Sequence, residues 1–254
     1  MPSAPLVSIV TPARNAAATL GASIESARCQ SLPDWEMLIV DDASDDDTAA
    51  LARRHAAEDS RICLLSQSRR GGVAAARNAA LAEARGRFVA FLDADDLWRP
   101  EKLARQTRFM AAGGFALGYT AFRRFSASAD KPGRLIQVPP RLTYDALLKN
   151  TAIASVTAMV DRSLTGPIRF SDLRHEDYAL WLSLLKRGLT AGGLNEDLAR
   201  YRVNKTSLSG RKLQSAFWVW QVYRDVEGLG LMKASWCLAH YGLNALRKRL
   251  ALWP

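Results

Sequence analysis

The 254-residue chain predicts an α/β fold: a mostly parallel central sheet flanked by helices, with an amphipathic helical extension at the C-terminal end. Two observations carry that prediction. Over residues 6–92, short apolar runs alternate with helical spacings four times. Such alternation folds into a parallel sheet with helices on both faces. The polar signals also collect just past the strands: Arg14-Asn15 after the first, Asp41-Asp42 after the second, Asp93 to Asp96 after the fourth. In open sheets of this kind, ligands bind beyond the carboxyl ends of the strands.

Taken in order, Leu6 to Thr11 is an apolar, β-branched run ended by Pro12, which reads as a buried strand. Leu20 and Ile24 set a helical spacing within Ala16 to Gln30. Glu36 to Val40 is the second strand, Thr48 to Glu58 a helix, and Ile62 to Leu65 the third strand. Gly71-Gly72 breaks the chain before the Ala-rich helix Val73 to Ala84, and Arg87 to Leu92 is the fourth strand. Beyond it, Phe115 to Phe125 and Leu135 to Val138 read as strands around a loop with Pro132-Gly133. Thr143 is placed to cap a helix over Tyr144 to Lys149. Ile153 to Val160 reads as a strand, and Tyr178 to Arg187 as a helix closed by Gly188. After Ser209 come two aromatic-rich helices, broken near Gly228 and Gly230, with Trp218, Trp220, Trp236 and Trp253.

The net charge of +10 favours phosphate-bearing partners: nucleotides, nucleic acid or an anionic membrane surface. From Leu231 to Pro254 there is no Asp or Glu, while Lys233, Arg247, Lys248 and Arg249 are cationic. Aromatics beside such a cluster suit an interfacial helix. Cys29, Cys63 and Cys237 form neither a metal-type spacing nor a disulfide framework. No charged segment followed by an apolar run opens the sequence, and Leu231 to Leu246 is too short and polar to span a bilayer. A cytoplasmic location is expected, peripheral on the inner face of the membrane.

The chemistry concentrates in three stretches. In Phe91-Leu92-Asp93-Ala94-Asp95-Asp96, Asp93 and Asp95 project the same way, because strand side chains alternate. Such a pair suits Mg²⁺ or Mn²⁺, which takes one or two carboxylates plus substrate phosphates. A competing reading makes these acids the cap of a helix before Trp98. Asp41 and Asp42 end a strand, where a carboxylate can accept a uracil N–H or a ribose hydroxyl. Gly71-Gly72 opens the helix that carries Arg77 and Asn78, without the spacing of a Walker or dinucleotide loop.

Together, Val7 to Asn15, Val40 to Ser44, Gly72 to Asn78 and Phe91 to Leu103 stand in the order and spacing of the family 2 glycosyltransferases, which the chain resembles over roughly residues 6–210. Glu176-Asp177-Tyr178-Ala179-Leu180-Trp181 and Tyr201 to Ser209 continue the resemblance, the latter in the manner of enzymes that build bacterial surface polysaccharides. The resemblance implies a GT-A fold, with the catalytic domain expected over 1–210 as a nucleotide-binding half (1–98) and an acceptor half (99–210). The aromatic and basic residues of 211–254 fit a helical segment that either meets the membrane or packs on the catalytic domain. The resemblance also implies inverting transfer from a nucleotide diphosphate sugar, a UDP-sugar first, to a hydroxyl of a glycan or lipid-linked acceptor. By the same analogy Asp177 is the catalytic base. Pro12, Arg14, Asp42, Arg77 and Asp93 bind the nucleotide, and Asp95 holds the metal. Arg14 stands where the family often has a Tyr able to stack on the base, Arg70 where Asn is common, and Asn204 where a metal-binding His is common. Arg200 and Arg202 are candidates for pairing with the diphosphate.

Other classes remain open at this point. Transfer to a polyprenyl phosphate fits the same motifs. A sugar-nucleotide nucleotidyltransferase shares the architecture but needs a Gly-rich loop that Thr11 to Asn15 lacks. Nucleic-acid binding is disfavoured, because acids occupy the places where phosphates would lie.

Overall fold

The structure is a computed structural model that describes residues 4–126, 129, 133–203 and 212–249. The first half runs β1 (Val7–Ala13), α1 (Leu20–Arg28), β2 (Trp35–Asp41), α2 (Thr48–Glu58), β3 (Ile62–Ser66), α3 (Val73–Glu83) and β4 (Phe88–Phe91). Then follow β5 (Leu97–Trp98), α4 (Lys102–Gly113), β6 (Leu117–Phe125), β7 (Leu135–Ile136), β8 (Arg141–Leu142) and α5 (Tyr144–Leu147). Next come β9 (Met159–Asp161), α6 (Arg162–Thr165), α7 (Glu176–Lys186) and β10 (Ala191–Arg202). Helix α8 (Lys212–Gln221) passes through a π-helical turn over Val222–Val226 to α9 (Leu231–Arg249).

One sheet has the order β3-β2-β1-β4-β9-β6-β10-β5, with β7 on β6 and β8 on β10. The long pairings, β3-β2-β1-β4 and β6-β10, are parallel, whereas the short strands β5, β7, β8 and β9 pair antiparallel. Chain order reverses between β1 and β4, which opens a crevice at their carboxyl ends. Cores lie on both faces. Ile9, Leu20, Ile24, Met37 and Leu103 fill one, and Val10, Ala76, Phe91, Trp181 and Tyr223 are among those filling the other.

Three expectations need correction. β1 does not stop at Pro12 but continues to Ala13. Its pairing with β4 ends at Val10, so Pro12, which has no N–H to give, lies beside β2 alone. Residues 153–160 do not form one strand. A 3₁₀ turn occupies Ser155–Thr157, where Thr157 Oγ1 donates to the Ala154 carbonyl at 2.7 Å, and only Met159–Asp161 is extended. No helix is capped before Trp98, because Leu97 and Trp98 pair with β10 and α4 begins at Lys102.

The C-terminal helices pack on α5 and α7. Tyr178 and Tyr223 meet hydroxyl to hydroxyl at 3.3 Å, and Asn244 Nδ2 donates to the Lys149 carbonyl at 2.9 Å. Val219, Ala234 and Cys237 are buried in the same core as Trp181. Trp253 lies outside the described residues.

Gly86, just ahead of β4, shows how closely the layers approach. Its N–H donates to Ser8 Oγ at 2.8 Å, and a Cβ there would sit 2.6 Å from the Ser8 backbone nitrogen. The obstacle is backbone and cannot rotate away. Gly86→Ala is expected to destabilise the protein by about 1–3 kcal/mol, the range for overpacking. Urea unfolding of the two proteins checks this, and equal midpoints would refute it.

Candidate active site

Pro12, Arg14, Asp42, Arg77, Asp93, Asp95 and Asp177 all line one cleft beyond the carboxyl ends of β1, β2 and β4. On its first side, the loops after β1 and β2 are locked together. Asn15 and Ala43 both adopt left-handed backbone, at φ 48° and 53°. Non-glycine residues do so only where their surroundings hold them. Here Asn15 Oδ1 accepts the Asp45 N–H at 2.9 Å, and Asn15 N–H donates to Ser44 Oγ at 3.0 Å. Arg14 Nη1 donates to the carbonyls of Asp42 at 2.7 Å and Ala43 at 2.6 Å, and its Nη2 reaches Asp45 at 3.1 Å. The Asp42 carboxylate accepts the N–H groups of Gly71 at 2.6 Å and Gly72 at 2.9 Å, fixing the turn that opens α3. Gly72 takes φ 85°, which suits glycine there.

At the centre, Arg77 is only 3% exposed. Its Nη2 donates to Asp93 Oδ1 at 2.7 Å and its Nη1 to Glu176 Oε1 at 2.6 Å. A buried guanidinium therefore joins the end of β4 to the start of α7. Burial pushes Glu176 up to about 7 against the pull of Arg77, and Asp177 and Asp93 add to the rise. Beside it, His175 precedes α7 as its N-cap in left-handed backbone, φ 60°, with the imidazole edge-on to Trp218 at 5.5 Å. Asp177 therefore sits inside the helix and does not cap it. Its Oδ2 accepts from Ser155 Oγ at 2.6 Å, and its Oδ1 from the Tyr178 N–H at 2.7 Å.

The acids after β4 crowd one another. Burial raises Asp95, and the Asp93 charge adds to the rise. Asp96 is raised further by the same causes, with Asp95 contributing. Asp96 Oδ1 accepts the Arg202 N–H at 2.6 Å, while its buried Oδ2 has no hydrogen-bond partner. No cluster of three or more His, Cys, Asp or Glu poised to hold a metal is present among the described residues. The donor set fits an ion that takes one or two carboxylates and completes its shell with water and diphosphate oxygens. Asn204 lies outside the described residues. Arg200 is turned onto Asp197 at 2.5 Å, and Arg202 Nε donates to the Asp95 carbonyl at 2.8 Å.

The chain matches the family model "Glycosyl transferase family 2" over residues 8–165. The chain belongs to that family. Among its relatives is a Bacillus subtilis (strain 168) protein named for teichuronic acid biosynthesis, the glycosyltransferase TuaG, 44% identical over 97% of this chain and 98% of that one. Escherichia coli WfgD, named as a UDP-Glc:alpha-D-GlcNAc-diphosphoundecaprenol beta-1,3-glucosyltransferase, is 38% identical over 87% of this chain and 86% of its own. S. aureus TarS 1-349 in complex with UDP-GlcNAc superposes with TM-score 0.70 at 17% identity, over 96% of this chain and 72% of that one. The mannosyltransferase PcManGT from Pyrobaculum calidifontis, in complex with GDP-Man and Mn²⁺, gives TM-score 0.70 at 21% identity, over 99% and 82%. The family 2 enzyme described here therefore has the GT-A fold. It is a glycosyltransferase.

Ser155, His175 and Trp218 are not legible in the sequence as site residues, whereas Arg202, a candidate for the diphosphate, is found bonded to the Asp95 carbonyl and Asp96. Each of the first three reaches the cleft or its acids from a segment whose local pattern carries no chemical signal. Glu176 is flagged by its adjacency to Asp177.

Glu176 has a consequence for stability. Folded, it holds its proton up to about 7, against about 4.5 for an unperturbed carboxyl. Folding therefore takes up a proton between those values, and stability falls as pH rises through the window. Glu176→Gln should flatten that fall in thermal melts recorded across it. A variant whose melting temperature drops as steeply as the parent's would contradict the assignment.

Proposed function

We propose that this family 2 enzyme transfers a sugar, with inversion, from a UDP-sugar to a hydroxyl of a lipid-linked glycan in cell-surface polysaccharide synthesis. The observation that carries the reading is the meeting of Asp93 and Asp95 with Asp177 in one cleft, across the Arg77 bridge. The names of WfgD and TuaG support the donor, the lipid-linked acceptor and the pathway class.

In this reading Asp42, Pro12 and Arg14 take the base, with the planar Arg14 group serving where the family often has Tyr. Asp93 faces the ribose side. Arg77 acts as a positioning residue, since both terminal nitrogens are already committed to Asp93 and Glu176. Asp95 holds the divalent cation, which neutralises the leaving diphosphate when bound. Asp177 accepts the acceptor hydroxyl proton as that oxygen attacks the anomeric carbon. The new C–O bond forms on the face opposite the breaking bond to diphosphate, and UDP departs with that bonding pair. Ser155 holds Asp177 in place through the 2.6 Å hydrogen bond, and the rigid start of α7 fixes the carboxylate.

Two measurements test this. Asp177→Asn should retain UDP affinity while turnover falls by about a hundredfold or more, the scale of a general base. Near-parent turnover in Asp177→Asn, with Glu176→Gln dead, would move the base to Glu176. Separately, UDP should raise the melting temperature more with Mn²⁺ than without it. Asp95→Asn should abolish the difference, and a metal-independent shift in the parent would remove Asp95 from this role.

A further inference from the structure

Helix α9 is apolar on two opposite sides. Ala234 and Cys237 are buried on one, with Leu238 and Tyr241 packed against the same core. On the other, Met232 is 89% exposed, Trp236 60% and Leu243 51%. At 3.6 residues per turn, those three fall within a sector of about 40°, and Ala234, Leu238 and Tyr241 lie roughly opposite. Among the described residues, six of the eight large apolar side chains left exposed lie between Phe217 and Leu243: those two, Val226, Leu231, Met232 and Trp236. A helix apolar on both sides calls for a second partner.

Charge identifies that partner. No Asp or Glu occurs from Leu231 to Pro254, and the last turn of α9 contains Arg247, Lys248 and Arg249. A second copy docked through the same segment would offer these cations no carboxylate side chain, since residues 231–254 contain none. Anionic headgroups complement it, and Trp is favoured at their depth. Lys233 is already paired with Asp145 at 3.4 Å, which leaves the last-turn cluster as the main attraction. No described helix is long and apolar enough to cross a membrane, so the contact would be along the surface. The same helix also reaches the active site, because Leu238, Tyr241 and Gly242 line the catalytic cleft.

We infer that the outer face of α9 (Met232, Trp236 and Leu243) lies on an anionic lipid surface, and that this docking holds the cleft beside acceptors anchored in the same bilayer. The second half rests on the lipid-linked acceptor proposed above. Neither Met232 nor Trp236 lines the cleft.

The test is flotation of the full chain with phosphatidylcholine vesicles, with and without phosphatidylglycerol, alongside UDP binding. The parent should float with the anionic vesicles and lose them at high salt. The double variant Met232→Glu/Trp236→Glu should bind them at least about tenfold more weakly, with UDP affinity and melting temperature unchanged. If it unfolds, Trp236→Ala takes its place, with a smaller loss expected. Parent protein that stays unbound, or a folded variant that floats equally well, overturns the docking. So does a parent dimer that the variant dissolves in sedimentation, which would give the face to a second copy. UDP binding without flotation sinks the docking and leaves the transferase reading standing. Flotation without UDP binding does the reverse.

Discussion

The active site depends on one buried cation. Arg77 carries a full charge where water cannot reach it, and it is tolerable only because Asp93 and Glu176 stand against its two terminal nitrogens. Breaking such a pair by removing one partner typically costs about 3–5 kcal/mol, because the other charge is left uncompensated. The bridge spans 99 residues of sequence on one side and 16 on the other. It therefore pins the end of β4 to the start of α7, across the cleft. Asp177 inherits its position from that pin, one residue along the helix.

The surrounding sheet makes the arrangement possible. Reversal of chain order between β1 and β4 leaves their ends splayed, and the loops that follow carry Arg14 and Asp93 into the gap. On the far side, β10 runs past β5 and delivers the Arg202 N–H to Asp96, which draws that carboxylate out of solvent. At the start of α4, Lys102 is buried with its Nζ 4.6 Å from the Trp98 ring centre and bonded to Gln106. Burial lowers this amine to about 7, since no carboxylate stands by to favour its charged form. Three acids at one strand end would repel one another in an ordinary turn. Here the fold holds them, Asp96 through the Arg202 N–H and Asp93 through Arg77.

The C-terminal helices join this site to whatever lies outside it. Their inner side closes over α7 through Tyr223, Ala234 and Cys237, and Trp218 reaches His175 next to the candidate base. Their outer side is left apolar. One element thus lines the cleft and presents the surface on which the enzyme would sit.

The sequence alone determined the strand-and-helix alternation of the first half, the strand ends where Asp42, Asp93 and Asp95 stand, and the pairing of Glu176 with Asp177 at a helix start. These features are local: periodicity reports which residues face a core, and acids that follow a buried strand advertise its end. Only the tertiary structure decided which distant groups meet. That Arg77 reaches Glu176, that Ser155 leaves its expected strand to hold Asp177, and that Asp96 is sealed by β10 depend on contacts across 22 to 106 residues. β10 itself escaped local reading because Gly192-Gly193 and the polar run Asn195 to Asp197 resemble a loop, and the strand passes them through bulged register. The unburied side of α9 was hidden for the same reason. An apolar residue in a helix declares that it seeks a partner, and only the folded chain shows which of those residues found one.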